Sequence, residues 1–279
     1  MQLNERERTA LMRNVESAIA EDIATGDINA ELIPAAQLGT AKIIARQNFV
    51  LAGRPWAEAT FLHFASDSHM QWSATDGETV LANSVLLEVT APARALLSAE
   101  RTALNFLQTL SGAATTTAHY VRLIQHTKTR LLDTRKTLPG LRDAQKYAVR
   151  CGGGLNHRIG LFDAFLLKEN HIAAAGSICA AVAAARKLYP DRFLQVEVET
   201  RAQLEECLRL DVPRVLLDNF SPAQTAELVR FVDGRMELES SGGIDEQSLI
   251  AYAEAGVNFI SIGSLTKHVR AVDLSMRMV

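Results

Sequence analysis

The second half of the chain repeats one pattern. Short apolar segments recur, and each ends in polar or charged residues. RLLD ends at Asp133, FLLK at Lys168, QVEVE at Glu199, RVLLD at Asp218, MELESS at Ser241 and FISIGS at Ser264. Most are separated by helical stretches such as RAQLEECLRL, SPAQTAELVRFV and EQSLIAYAEAG. From Glu197 to Asp218, then to Ser240 and to Ile262, the step is 21–22 residues. Strand–helix repeats of this kind build a parallel sheet. Functional groups at the C-terminal ends of successive strands mark a (β/α) barrel, whose site lies on that face. Six clear strands predict an incomplete TIM-like barrel. An open doubly wound sheet is the alternative, but no G-x-G-x-x-G opens the first β-α unit, which weakens a dinucleotide reading.

The first third reads as mixed α/β. A helix is predicted from about Asn4 to Ala20, a strand over Gly39 to Gln47, and a second helix over RPWAEATFLHFA. Residues 69–91 predict two or three strands around the turn TDGE. A long helix follows, with Leu104, Leu107 and Leu110 at helical spacing and Ser98 as its expected N-cap. That start would put Arg101 in the first turn, where the helix dipole disfavours a cation by about 0.3–1 kcal/mol. The placement suggests an arginine waiting for an anion.

Hydrophobic residues make up 48% of the 279, enough for a sizeable core, and the net charge is −3. Nothing global draws the chain to nucleic acid or to a membrane surface. The three cysteines, Cys151, Cys179 and Cys207, form neither a metal spacing nor a disulfide framework. A reduced cytoplasmic protein is the simplest expectation, since no secretory or membrane-spanning stretch is present.

Against that acidic background, residues 133–171 hold seven Lys/Arg and four Asp/Glu. Asp133, Arg135, Lys136, His157, Arg158 and Lys168 would gather near one barrel mouth. Arginine offers a planar fork to carboxylate or phosphate, and lysine a point charge. Glu197 and Glu199 share a strand face, and Asp218 ends the next strand. Carboxylates beside cations suggest Mg²⁺ bridged to phosphates, or else an internal ion-pair network. The loops ESSGGI and SIGSLTK combine glycine with serine, as phosphate-binding turns do. His171 and His268 read as structural, and Cys151 has no partners that would make it a nucleophile. Together these features describe an enzyme that joins a phosphorylated polyanion to a small carboxylate-bearing compound.

The ordered set EDIATGD, ERTALNFLQTLSG, DTRKTLPGLR, KYAVRCGGGLNHRIGLFDAFLLKENH, EVE, LLDNF, ESSGGI and ISIGSLTK resembles the quinolinate phosphoribosyltransferase family over nearly the whole chain. The departures, Leu138 and Glu169, are positions with no role assigned here. The resemblance implies an α/β fold: an N-terminal α/β sandwich domain over residues 1–105, to which 266–279 return, and a barrel over 106–265. It implies quinolinate and phosphoribosyl pyrophosphate as substrates, Mg²⁺ as cofactor, and a homodimer with shared active sites. Lys136, Lys168, Glu197 and Asp218 would be catalytic, with Glu197 and Asp218 also holding the metal. Arg101, from the neighbouring subunit, would meet a quinolinate carboxylate together with Arg135, His157 and Arg158, and Thr134 would lie beside them. Ser241, Gly242, Gly263 and Ser264 would cradle the 5′-phosphate, flanked by Gly243, Ser261 and Ile262. A related phosphoribosyltransferase with another acceptor, a Schiff-base lyase using Lys168 or Lys136, and a phosphate-binding regulatory barrel are the competing readings.

Overall fold

The computed structural model describes residues 1–279. Asn4 opens helix α1 (Glu5–Ile23) with a capping box: its side chain accepts the Glu7 N–H, and the Glu7 carboxylate accepts the Asn4 N–H. Strand β1 (Leu38–Ala45) buries Ala41, Ile43 and Ala45 on one face. Then come β2 (Phe49–Val50), α2 (Arg54–Phe64), β3 (His69–Trp72), β4 (Thr79–Val80) and β5 (Val85–Pro92). Helix α3 (Ala93–Leu123) follows β5 directly. It starts five residues before Ser98, because ARALL is itself a run of good helix formers. Ser98 therefore caps nothing; its hydroxyl donates to Asp27 at 2.7 Å. Arg101 lies two turns inside α3, exposed, so the helix-start argument for it does not hold.

The repeat pattern follows: β6 (Arg130–Leu132), α4 (Arg142–Cys151), β7 (Ala164–Leu167), α5 (Glu169–Ala175), α6 (Ile178–Leu188), β8 (Phe193–Val198), α7 (Arg201–Arg209), β9 (Arg214–Asp218), α8 (Pro222–Val232), β10 (Glu237–Ser241), α9 (Leu249–Glu254) and β11 (Phe259–Ser261). Helix α10 (Ser264–Lys267) and strand β12 (Leu274–Met278) end the chain. The chain divides into two compact units. One comprises residues 1–119, 137–153 and 264–279, the other 120–136 and 154–263.

The first unit is built on an antiparallel sheet in the order β12-β1-β5-β3. Its buried face carries Ile43, Leu87 and Val89, which pack with Leu96, Leu104 and Leu107 of α3. Each fully buried Leu or Ile stabilises the fold by about 1.5–3 kcal/mol. A second cluster joins Trp56 of α2, Leu110 of α3 and Tyr147 of α4. Helix α4 is also tied to α1 by Arg6–Asp143 at 2.6 Å and Arg150–Glu7 at 2.7 Å.

The second unit is a six-stranded parallel sheet in the order β6-β11-β10-β9-β8-β7. It is an incomplete barrel, with six strands as the sequence predicts. Along each strand alternate residues share a face. Phe193, Arg214, Glu237 and Phe259 open their strands on the same face as the cavity-lining residues above them. The Arg214 guanidinium stacks 3.9 Å from the Phe259 ring and 5.0 Å from Phe193, and bonds Glu237 at 2.7 Å. This plug fills the N-terminal end of the sheet interior.

Tyr147 links α4 to the first unit by more than packing. Its hydroxyl donates to Asp76 Oδ2 at 2.6 Å, and the same carboxylate accepts the N–H groups of Gly53 and Arg54 at the start of α2. Burial pushes the Asp76 carboxyl above its ordinary pKa, so each of these bonds offsets a desolvation cost. Tyr147→Phe keeps the ring and removes the donor. It is expected to cost about 1–3 kcal/mol, read as a lowered midpoint in denaturant unfolding.

Candidate active site

The C-terminal ends of parallel strands lie on one edge, and in the second unit that edge surrounds a cavity of about 310 Å³. It is lined by Thr134, Arg135, Lys136, His157, Arg158 and Lys168, which the sequence brought forward. Glu197, Ser241 and Ser261, also expected, line it too. Leu166, Leu216 and Glu239 complete the wall. The lining thus holds four permanent cations and two carboxylates, an excess suited to a multiply charged anion.

Each side chain is placed by a local device. Thr134 Oγ1 accepts the Lys136 N–H at 3.0 Å and shapes the turn after β6. The stem of Lys136 then passes Gly263, where a Cβ would lie 2.8 Å from Lys136 Cδ and push the stem aside. Asp133 is fully buried and holds the second cationic loop. It accepts from Asn156 Nδ2 at 2.6 Å and from the His157 N–H at 2.9 Å. Burial, and then the nearby Arg135, hold the Arg158 guanidinium below its ordinary pKa, while Asp163 and Glu197 oppose them. Two guanidinium groups close enough to repel mark a site shaped for an anion between them.

Lys168 follows β7 and donates from Nζ to Glu197 Oε2 at 2.6 Å. His171 is structural, as expected: its Nδ1 accepts the Lys168 N–H at 3.0 Å. Asp218 ends β9 in register with Ser241 and accepts from Asn219 Nδ2 at 2.9 Å. Gly242 has φ +97°, and a Cβ there would overlap the Asn219 side-chain oxygen. Glycine is required on both counts.

Other expected residues lie elsewhere. Asp218, Gly242, Gly243 and Gly263 border the same strand ends without lining the cavity. Ile262 is 2% exposed and its N–H donates to the Leu132 carbonyl, so its side chain belongs to the core. Ser264 begins α10 and belongs with Arg101 to the first unit. Glu199 is exposed, and its N–H donates to Gln203 at the start of α7. Cys151 is buried; desolvation, with the charge of Asp76, pushes its thiol up to about 12, which makes it inert as a nucleophile.

The strand-end pattern does not bring out two residues just below it, Gln195 and Glu239. Both are fully buried, and Gln195 Nε2 donates to Glu239 Oε2 at 2.8 Å. The signal was present: Gln195 stands two residues before Glu197, and Glu239 two before Ser241, on the same strand faces.

Two family models match the chain. Residues 22–111 match the quinolinate phosphoribosyl transferase N-terminal domain, and residues 113–277 the C-terminal domain. The chain is 40% identical to a probable nicotinate-nucleotide pyrophosphorylase [carboxylating] of Bacillus subtilis, over 92% of this chain and 89% of that one. It is also 40% identical to the nicotinate-nucleotide pyrophosphorylase [carboxylating] of Mycobacterium leprae, over 98% and 99%. Its fold is similar to the solved nicotinate-nucleotide pyrophosphorylase of Francisella tularensis, with a TM-score of 0.94, 46% identity and coverage of 97% and 96%. An anion cavity at the strand ends, within a match that runs almost from end to end, has one consistent reading: the chain belongs to the quinolinate phosphoribosyltransferase family.

Proposed function

We propose that the strand-end cavity is where this chain carries out its family's reaction. That reaction transfers phosphoribosyl from phosphoribosyl pyrophosphate to quinolinate with decarboxylation. The products are nicotinate mononucleotide, pyrophosphate and CO₂, a step of de novo NAD biosynthesis. The observation that carries the assignment to this cavity is its charge: Arg135, Lys136, Arg158 and Lys168 converge on a space of about 310 Å³ with Glu197 at its edge. No helix of the chain is long and apolar enough to cross a membrane, and all three cysteines are free, in keeping with work in the cytoplasm.

The roles follow from charge. Arg135 and Arg158 receive the substrate carboxylates, each offering a planar pair of donors. The quinolinate nitrogen displaces pyrophosphate at the ribose C1, through a transition state with oxocarbenium character. Glu197 lies where a carboxylate can stabilise that developing positive charge, and Lys136 and Lys168 where ammonium groups can receive the departing pyrophosphate. The new bond makes the ring nitrogen a pyridinium. The adjacent carboxylate leaves as CO₂, its electron pair stays on the ring carbon beside that cation, and a proton then fills the position. No covalent enzyme intermediate is needed.

Glu197 and Asp218 fit Mg²⁺ by their chemistry. They are hard oxygen donors on neighbouring strands, and Mg²⁺ is commonly held by one or two carboxylates with substrate phosphates and water completing the shell. When bound it neutralises charge on the pyrophosphate.

A product assay with quinolinate, phosphoribosyl pyrophosphate and Mg²⁺, following CO₂ and nicotinate mononucleotide, tests the activity. Nicotinate has one carboxylate and leaves a cation of this site unpaired. Its kcat/KM is expected to fall below that of quinolinate by about 10⁴ or more. Comparable turnover of both acids would remove the two-carboxylate reading of the cavity.

The metal assignment makes a separate demand. Asp218→Asn keeps the shape and removes the charge. The Mg²⁺ concentration for half-maximal rate is expected to rise about tenfold or more. An unchanged Mg²⁺ dependence would take Asp218 out of the metal site.

Arg101 is exposed and belongs to the unit that does not contain the cavity. We propose that it serves the cavity of a second copy in a homodimer. Arg101→Ala and Lys136→Ala, each inactive alone, are then expected to complement when co-refolded. Random pairing puts half the protein in heterodimers with one intact site each, so about a quarter of wild-type activity returns. Heterodimers without activity would confine Arg101 to its own chain.

A further inference from the structure

The cavity gathers cations for an anionic substrate, yet a carboxylate is built into its wall. Glu239 sits in the middle of β10 at 0% exposure, and its Oε1 is buried without a hydrogen-bond partner. Burying a carboxylate is unfavourable unless hydrogen bonds compensate. Burial raises its pKa, but hydrogen bonds from His157, Ser261 and Gln195 act against burial, and the carboxyl lies below the ordinary glutamate value. With Gln195 Nε2 at 2.8 Å and His157 Nε2 at 3.5 Å both turned toward Oε2, Glu239 acts as an acceptor.

That single fact sets every donor above it. An ionised Glu239 requires the Gln195 amide to turn its NH₂ toward Oε2, at 2.8 Å. The Gln195 carbonyl oxygen must then face His157, whose Nε2 lies 3.0 Å away and so carries the proton. The same Nε2 is 3.5 Å from Glu239 Oε2. On the other side of the ring, Nδ1 lies 2.7 Å from the backbone nitrogen of Arg158. A backbone N–H can only donate, so Nδ1 presents a lone pair. The geometry thus assigns the ring proton to Nε2, and both ring nitrogens are engaged by the protein.

We propose that Glu239 is a positioning residue of this site: acting through Gln195, it fixes the tautomer of His157, and His157 clamps the backbone of Arg158 so that its guanidinium faces the acidic substrate. His157 then serves the substrate carboxylate through Arg158, not as a further cation. The loop is held from below as well, since Asp133 accepts both the Asn156 amide and the His157 N–H. The carboxylate in the wall is the fixed end of a chain of four groups whose last member is a substrate-binding arginine.

The test starts with the wild-type protein. In ¹⁵N NMR at neutral pH, the His157 ring, identified by its loss in His157→Asn, is expected to show one neutral form protonated at Nε2. A charged ring, or a proton on Nδ1, overturns the proposal whether or not any variant folds. Glu239→Gln then keeps the shape but lets the Gln195 amide turn over. The His157 signal is expected to leave the pure Nε2–H form. The KM for quinolinate is expected to rise about tenfold with kcat changed by less than about threefold, since positioning of a binding group is what is lost. A Glu239→Gln enzyme with wild-type KM and wild-type His157 tautomer would show that the carboxylate only fills space.

Discussion

Everything in the second unit depends on the two-residue alternation of a parallel strand. In four of the six strands, alternate residues fall in sequence on the cavity face. Phe193, Gln195 and Glu197 do so in β8; Arg214, Leu216 and Asp218 in β9; Glu237, Glu239 and Ser241 in β10; Phe259 and Ser261 in β11, with Gly263 just beyond. The first of each set builds the plug around Arg214. The second forms the buried middle tier, in which Gln195 and Glu239 meet. The third reaches the strand ends. One constraint of backbone geometry therefore assigns three different chemistries by depth.

Those depths differ in what water does. At the plug, Arg214 is flanked by two aromatic rings and neutralised by Glu237. In the middle tier a carboxylate survives without solvent only because donors reach it. At the strand ends Lys168 keeps 42% of its side chain exposed beside Glu197. The charge excess sits there, where a substrate can replace solvent. An anion entering the cavity meets the cations of the strand ends before it reaches the tier that holds Glu239.

Much of this was readable from residues alone. The 21–22-residue step marked the strands, and the polar residue at each strand end marked the mouth, because period and burial leave a direct trace in composition. The cavity includes Thr134, Arg135, Lys136, His157, Arg158 and Lys168 for that reason. Glu239 and Gln195 lie one step below the strand ends on the same faces, where residue type alone leaves no trace of a site. Ile262 neighbours glycine and serine at a strand end, yet its parity sends it into the core. Ser98 resembles a helix cap, but the helix-forming run before it starts α3 earlier. Tyr147 gave no signal at all: its partner Asp76 is far away in sequence, and only the folded chain joins them.

The antiparallel sheet of the first unit has a consequence for how the chain is made. β1 lies between β5 and β12, and β12 is synthesised only after every strand of the barrel. Throughout synthesis of the barrel, the outer edge of β1 presents its N–H and C=O groups to whatever is near. Such an edge is a template for pairing with another nascent chain. When β12 arrives it pairs antiparallel with residues 41–45 of β1 and closes that edge.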